Sequence, residues 1–407
     1  MNNPLLLKIK ISQLMPYKIH PRACYLAVTA ALILPVSSAY AALDKFQPYV
    51  TTKVQRDTNL FRTDNNREDD TIGYLGGGIK TDLKVSRQHL LVDAEAETAK
   101  YDNFDKLDHT RLKGRAVWAW QVGNLWSGDL GTRYERSLRS FTQTTIRQKD
   151  MRTTKIGYFE AGYQIHPDWR LVGGVNFNTV DYQKQTRLER DFTSGQLEVQ
   201  YRNTLNTRVG IRAKHTDYNL QETVIGSVKT DNDYKEDEIS AVFYWEGSAK
   251  SKLKARFGYT EQSFNELKDR DYKGSTGRLT YRWIATGKTR LDLSVWRETS
   301  SLRSEVTDYV LTKGISISPA WSITRLVSLN GSLSYTNDDF KARNNILAIL
   351  GGQRRDDDIY LASIYTTWKP RRQIDLSLGY SWTKRDSSIN GLDYTNNRVE
   401  AKAKYSF

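Results

Sequence analysis

Residues 398–407 read RVEAKAKYSF, and their alternation is complete: Val399, Ala401, Ala403, Tyr405 and Phe407 take one face, while Glu400, Lys402, Lys404 and Ser406 take the other. Period-two patterning marks a strand whose two faces meet different surroundings. The ends of soluble domains commonly fray. A final strand that alternates up to an aromatic residue reads instead as part of a wall.

The same pattern recurs upstream. LEVQY (197–201), TRVGIRAK (207–214), KLKARFGY (252–259), GRLTYRW (277–283), TRLDLSVW (289–296), GISISPAW (314–321), VSLNGSLSY (327–335) and QIDLSLGY (373–380) each place apolar or aromatic residues at every second position. No sustained helical spacing occurs after residue 45, and no later apolar run is long enough for a membrane helix. Short turns are expected near Ser86, Gly123, His166–Pro167, Asn203, Gly247, Gly287, Thr324 and Pro370. Longer polar stretches such as DTNLFRTDNNREDD (57–70) and NDDFKARNNILAILGGQRRDD (337–357) separate them. The repeat is a hairpin of two strands and a long loop, and with the first and last strands the count reaches about eighteen.

Composition narrows the class. Of 407 residues, 38% are hydrophobic and 27% charged, with 24 Tyr and 10 Trp. That suits neither a helical membrane protein nor a densely packed soluble core. The front end reads as a secretory leader: Lys8, Lys10, Lys18 and Arg22 precede the apolar run AVTAALILPV, and small residues at Ala39 and Ala41 follow it. Residues 1–41 are expected to be cleaved and residues 42–407 to form one domain. Cys24, the only cysteine, lies in the leader, so the mature chain has no thiol chemistry. Losing four basic residues and no acids takes the formal charge from +14 to +10.

Export, alternation, short turns at one end and long loops at the other predict an all-β fold: a single transmembrane antiparallel up-and-down β-barrel in the outer membrane of a Gram-negative bacterium. A soluble propeller or sandwich has repeats of similar length. Against it stand Trp118, Trp120, Trp126, Trp169, Trp245, Trp283, Trp321, Trp368 and Trp382, read as falling near the short turns like an interfacial belt. The final strand is expected to close against FQPYVTTKVQ (46–55), with Tyr405 and Phe407 toward lipid. An open edge is not tolerated in hydrocarbon.

If the apolar set faces lipid, the alternate set faces the lumen. Arg111, Lys113 and Arg115 share one strand; Arg208, Arg212 and Lys214 another; Lys252, Lys254 and Arg256 a third; Arg278 and Arg282 a fourth. These are the candidate pore-lining, substrate-binding residues, since clustered cations attract anions. Asp93, Glu95, Glu97, Glu135, Glu198, Glu238, Glu246 and Asp292 are the acidic counterparts, and pairing across the wall is the structural alternative. Tyr244 and Trp296 are inward aromatic candidates, either for sliding contacts with sugars or as wall. The apolar centre of the 341–357 loop is read as a constriction or as the top of a tall strand.

Other chemistry is not encoded. His89, His109, His166 and His215 sit on separate hairpins without a nucleophile motif. REDD, NDYKED and RRDDD lack the ligand spacing of a calcium loop, Gly287-Lys288-Thr289 is no phosphate loop, and Gly76-Gly77-Gly78 no dinucleotide site. No cofactor, metal, catalytic residue or nucleic-acid partner is expected.

FQPYVTTKVQRDTNLFR (46–62), with Asp57, Asn59, Leu60, Phe61 and Arg62 after the opening strand, resembles the start of EpsL-type outer-membrane proteins of exopolysaccharide biosynthesis loci, often found with exosortase systems. That resemblance implies a passive conduit exporting a polysaccharide, served by periplasmic export or synthesis proteins. A general or oligosaccharide-preferring uptake porin has the same physics and the opposite direction. Further expected partners are outer-membrane lipid and lipopolysaccharide, and the barrel assembly machinery, which would read Phe407.

Overall fold

The structure, a computed structural model, describes residues 46–407 apart from 145, 204–206, 226–227, 301–308 and 342–353. The proposed leader and the centre of the 341–357 loop lie outside the described residues.

Eighteen strands form one antiparallel sheet. They are β1 (Phe46–Asp57), β2 (Asp70–Val85), β3 (Gln88–Tyr101), β4 (His109–Val122), β5 (Trp126–Leu138), β6 (Met151–His166), β7 (Trp169–Tyr182), β8 (Arg190–Arg202), β9 (Arg208–Leu220), β12 (Tyr234–Ser248), β13 (Ser251–Phe264), β14 (Tyr272–Ile284), β15 (Thr289–Ser300), β16 (Tyr309–Ser322), β17 (Val327–Lys341), β18 (Asp356–Arg371), β19 (Ile374–Ser387) and β20 (Tyr394–Ser406). A small hairpin, β10 (Thr223–Ile225) and β11 (Val228–Thr230), stands apart in the β9–β12 loop and was not foreseen from the sequence. β1 pairs with β2 on one side and with β20 on the other, from Tyr49↔Ser406 to Asp57↔Arg398. The sheet is therefore a closed up-and-down barrel, as the alternation predicted.

Its hydrophobic surface is on the outside. Leu75, Ile211, Ile239, Phe257 and Leu378 are each more than 60% exposed, whereas Thr51, Glu97, Ser240 and Thr276, on the opposite phase, are buried. This inversion is stable only where lipid covers the outer face. Trp126, Trp169, Trp283, Trp321 and Trp368 face outward at the short-turn end, with Trp126 against Tyr163 (4.5 Å between centroids) and Trp169 against Tyr201 (5.2 Å). Tyr259, Tyr335, Tyr360 and Tyr380 form the second girdle nearer the long loops. Trp382 belongs with that upper set: it sits opposite Ala362 and Asn397, well above the turn that starts β19.

Two turns differ from the sequence reading. The β12–β13 connection closes at Ala249–Lys250, past Gly247, because the register shifts between Trp245 and Ser248. The β18–β19 turn is Arg372–Gln373, and Pro370 sits in the irregularity after Trp368, where no ladder amide is needed.

Candidate functional site: the lumen wall

Register fixes which residues look inward. On β3, β4 and β5 the inner row is Asp93, Glu95 and Glu97, then Arg115, Lys113 and Arg111, then Arg133 and Glu135. Arg111 bridges Glu97 at 2.6 Å and Glu95 at 3.3 Å, and Lys113 stands 3.9 Å from Glu135. No carboxylate partner is recorded for Arg115 among the described residues.

On β9 to β15 a longer chain of ion pairs crosses the wall. Arg212 meets Glu238 at 2.7 Å, Glu238 also takes Arg256, Arg256 reaches Glu298, and Glu298 takes Arg278. Glu238 and Arg212 are largely buried in this row, so the pairing supports the wall by leaving no ion uncompensated. Arg282 pairs with Asp292 at 2.6 Å, and Lys252 with Glu246 at 3.5 Å. Lys214 and Lys254 face the lumen with no recorded carboxylate partner among the described residues. Arg208 lies over the Tyr244 ring at 4.9 Å, and Arg278 over Trp296 at 5.1 Å, so both inward aromatics are also cation supports. All eleven candidate residues thus occupy the inner face. The structure divides them into paired cations and cations without carboxylates, a distinction strand patterning does not carry.

A second feature escaped the sequence reading. On β16 to β19 the inner row is neutral for most of its height: Ser316 and Ser318, then Ser332 and Ser334, then Ser363 and Thr367 interleaved with Leu361 and Tyr365, then Ser377, Ser381 and Thr383. Charge appears only at the ends. Lys369–Asp375 (3.3 Å) lies at the short-turn rim, and Asp338, Asp357 and Arg385 lie at the top. The Trp296 ring lies over Gly314, and Tyr365 over Gly379; a Cβ on either glycine would collide with the ring at 2.3–2.4 Å. The lumen wall is therefore a charged arc adjoining a hydroxyl-rich lane, with Trp296 at the lane's β15 edge and Tyr365 within it.

At the long-loop end the wall turns inward. Leu60, Phe61, Leu107 and Phe141, from three loops, pack on Ile72 and Ala99, which are inner-face positions of β2 and β3. Phe61 meets Phe104 and Phe141 edge-on, at 4.9 Å each. Arg147 adds a 3.0 Å bridge to Glu68, and Arg385 of β19 donates to the Thr142 carbonyl, carrying the β5–β6 loop part of the way across the mouth. Along the upper inner wall Phe192, Tyr218, Tyr234 and Phe264 stack in sequence at 5.2, 4.3 and 4.7 Å. A sequence signal existed for these. Each is an aromatic residue out of phase with the lipid-facing row and close to a long loop.

The residues that carry the EpsL-type resemblance prove to be a seam fastening. Asn59 donates to the Thr395 and Thr63 carbonyls, and its own amide reaches Asn396. Arg62 clasps Asp57, and Leu60 and Phe61 enter the apolar cluster. Their chemistry is structural.

Residues 248–407 match the family model described as "Putative beta-barrel porin 2". No curated protein matches the chain. Among solved structures, Pseudomonas aeruginosa OccK1 (OpdK) is similar at 10% identity and TM-score 0.48, over 89% of this chain and 99% of that one. P. aeruginosa OccK2 (OpdF) in complex with glucuronate gives 8% and 0.47 over 89% and 99%, and P. aeruginosa OccK9 (OpdG) gives 10% and 0.47 over 90% and 100%. With its lipid-facing exterior, polar lumen and porin-family match over the C-terminal strands, this chain is a porin-like β-barrel channel of the outer membrane.

Proposed function

We propose that the barrel is a passive uptake channel for small polyhydroxylated solutes that carry an anionic group, such as sugar acids and short acidic oligosaccharides. The observation that carries this reading is the two-sided lumen. Serine and threonine hydroxyls on β16 to β19 match sugar hydroxyls. On the charged arc, Arg115, Lys214 and Lys254, which have no ion pair to a carboxylate among the described residues, attract an acid group. An eighteen-stranded barrel is wide enough for an aqueous path, and the inward loops put the filter at the outer end, where an incoming solute arrives. Phe407, exposed beside Tyr405, is the proposed contact for the assembly machinery.

The test is single-channel current of the refolded mature chain in a planar bilayer under a salt gradient. Anion preference, with block by galacturonate oligomers and weaker block by neutral ones, supports the reading. Cation preference overturns it.

Export of an exopolysaccharide is the second reading, supported by the 46–62 resemblance and by basic side chains at the short-turn opening. Deleting the gene distinguishes the two. Loss of secreted polymer with intact sugar-acid uptake supports export, and the reverse supports uptake.

A further inference from the structure

At the short-turn end of the lumen three arginines share one recess, and among the described residues none has an ion pair to a carboxylate. Arg170 of β7, Arg202 of β8 and Arg208 of β9, with Gln164 and Gln200, line a recess of about 150 Å³. Arg202 and Arg208 are direct cross-strand partners. Like charges placed so destabilise a sheet. Arg170 stands opposite Gln164 on one side and Gln200 on the other, one row farther from the turn than the Arg202–Arg208 pair.

Elsewhere the lumen arginines are interleaved with glutamates, as in the row from Arg212 to Arg278. Here no ion pair to any of the three is recorded among the described residues. Asp168 lies 3.6 Å from His166, and Glu198 accepts from the Gln200 amide at 2.6 Å, while Asp129 and Glu160 border Arg170 in the adjoining recess. The contacts the three arginines do make are neutral. Arg170 donates to the Ser127 hydroxyl at 3.0 Å, and Arg208 rests on Tyr244. Asp129 and Glu160 partly offset Arg170, so the charges that the recess leaves uncancelled are those of Arg202 and Arg208.

We propose that this recess binds one anionic group, the carboxylate of a sugar acid or a phosphate, presented at the periplasmic opening. Planar guanidinium forks suit either group bidentately. The Gln164 amide nitrogen is held by the carbonyls of His166, Pro167 and Trp169, which leaves its side-chain oxygen to accept from hydroxyls flanking the acid. The inference deepens the channel reading by giving the lumen a capture point at its inner end, and it rests on that reading for the class of solute.

The measurement is calorimetric titration of the full refolded chain in detergent with galacturonate and, separately, inorganic phosphate. Saturable binding is expected for the natural chain. Arg202→Gln and Arg208→Gln are each expected to weaken it about tenfold, the worth of a charged hydrogen bond. Arg325→Gln, which removes the same charge from an exposed short turn at the same end, is the control and is expected to bind normally. Binding of galacturonate alone identifies a carboxylate site, and binding of phosphate alone a phosphate site. No binding by the natural chain, or equal weakening by Arg325→Gln, overturns the proposal. Heat-modifiable migration on gels checks that each variant is a folded barrel. Bilayer currents on the same proteins keep the two readings apart: conductance without binding sinks the recess and spares the channel, while binding without conductance does the opposite.

Discussion

Arg62 holds Asp57 by two hydrogen bonds of 2.9 Å each, at the point where the first strand leaves the barrel. The Asp57 side chain is 2% exposed and its other basic neighbour, Arg398, stands at 3.4 Å. Because Arg398 belongs to the last strand, the pair ties the β1–β2 loop to the closure. Removing one partner of a buried pair costs about 3–5 kcal/mol. With Arg398 as partial compensation, Arg62→Ala is expected near the lower end, read from the urea midpoint of the refolded barrel. An unmoved midpoint would show the clasp to be idle.

Glu238 balances both Arg212 and Arg256. Glu238→Gln leaves the row from Arg212 to Arg278 with an excess of positive charge facing the lumen. The reversal potential under a salt gradient is expected to move toward stronger anion preference, with a lower unfolding midpoint. A shift toward cations would contradict this account of the charged arc.

Arg385 reaches from β19 to the Thr142 carbonyl in the β5–β6 loop. Arg385→Ala removes that strut, so single-channel conductance is expected to rise and its noise to increase as the loop swings. Identical traces would mean the loop is held by its apolar contacts alone.

Ile211 is 66% exposed on the outer face, while Ser363 faces inward in the hydroxyl lane. Arginine at position 211 is expected to cost about 2–4 kcal/mol, the depth-dependent price of a charge in hydrocarbon. Arginine at position 363 is expected to leave stability nearly unchanged and to alter conductance. Folding titrations in lipid vesicles compare the two, and equal costs would refute the assignment of faces.

Asp108, in the β3–β4 loop, accepts from the Lys100 ammonium at 2.7 Å and the Tyr101 amide at 2.9 Å. Those bonds hold its carboxyl below the usual aspartate range. A depressed folded value contributes stability that is present above the unfolded value and lost as pH falls through the folded one. The stability gap between the natural chain and Asp108→Asn is therefore expected to be constant near neutrality and to close only below the ordinary aspartate value of about 3.9. Thermal melts across that range decide it.

Strand phase was legible because lipid and water impose opposite demands on adjacent residues, so Val399 and Glu400 cannot exchange faces cheaply. Turn positions at Gly247 and Pro370 were legible only to within a few residues, since a local irregularity moves a turn without changing the alternation around it. The hydroxyl lane was hidden for a different reason. Serine is common in any polar row, and its meaning comes from four adjacent strands agreeing, which a one-dimensional reading does not align. Ion pairing was hidden likewise: Arg115 and Arg111 look alike in sequence and each stands opposite an acid, Asp93 or Glu97, yet the ion pairs close at Arg111.

The β1–β20 ladder also sets an order of events. The Asn397 amide bonds to the Thr58 hydroxyl across 339 positions, so this contact cannot form until nearly the whole chain has been delivered. Before that moment the growing sheet carries two raw edges, each a template for adhesion to another chain. Closure is thus the step of highest contact order, the kind that topology makes slow. The cluster of Asp57, Asn59 and Arg62, which adds side-chain bonds at that ladder, acts where a late-arriving strand must find its register at the first attempt.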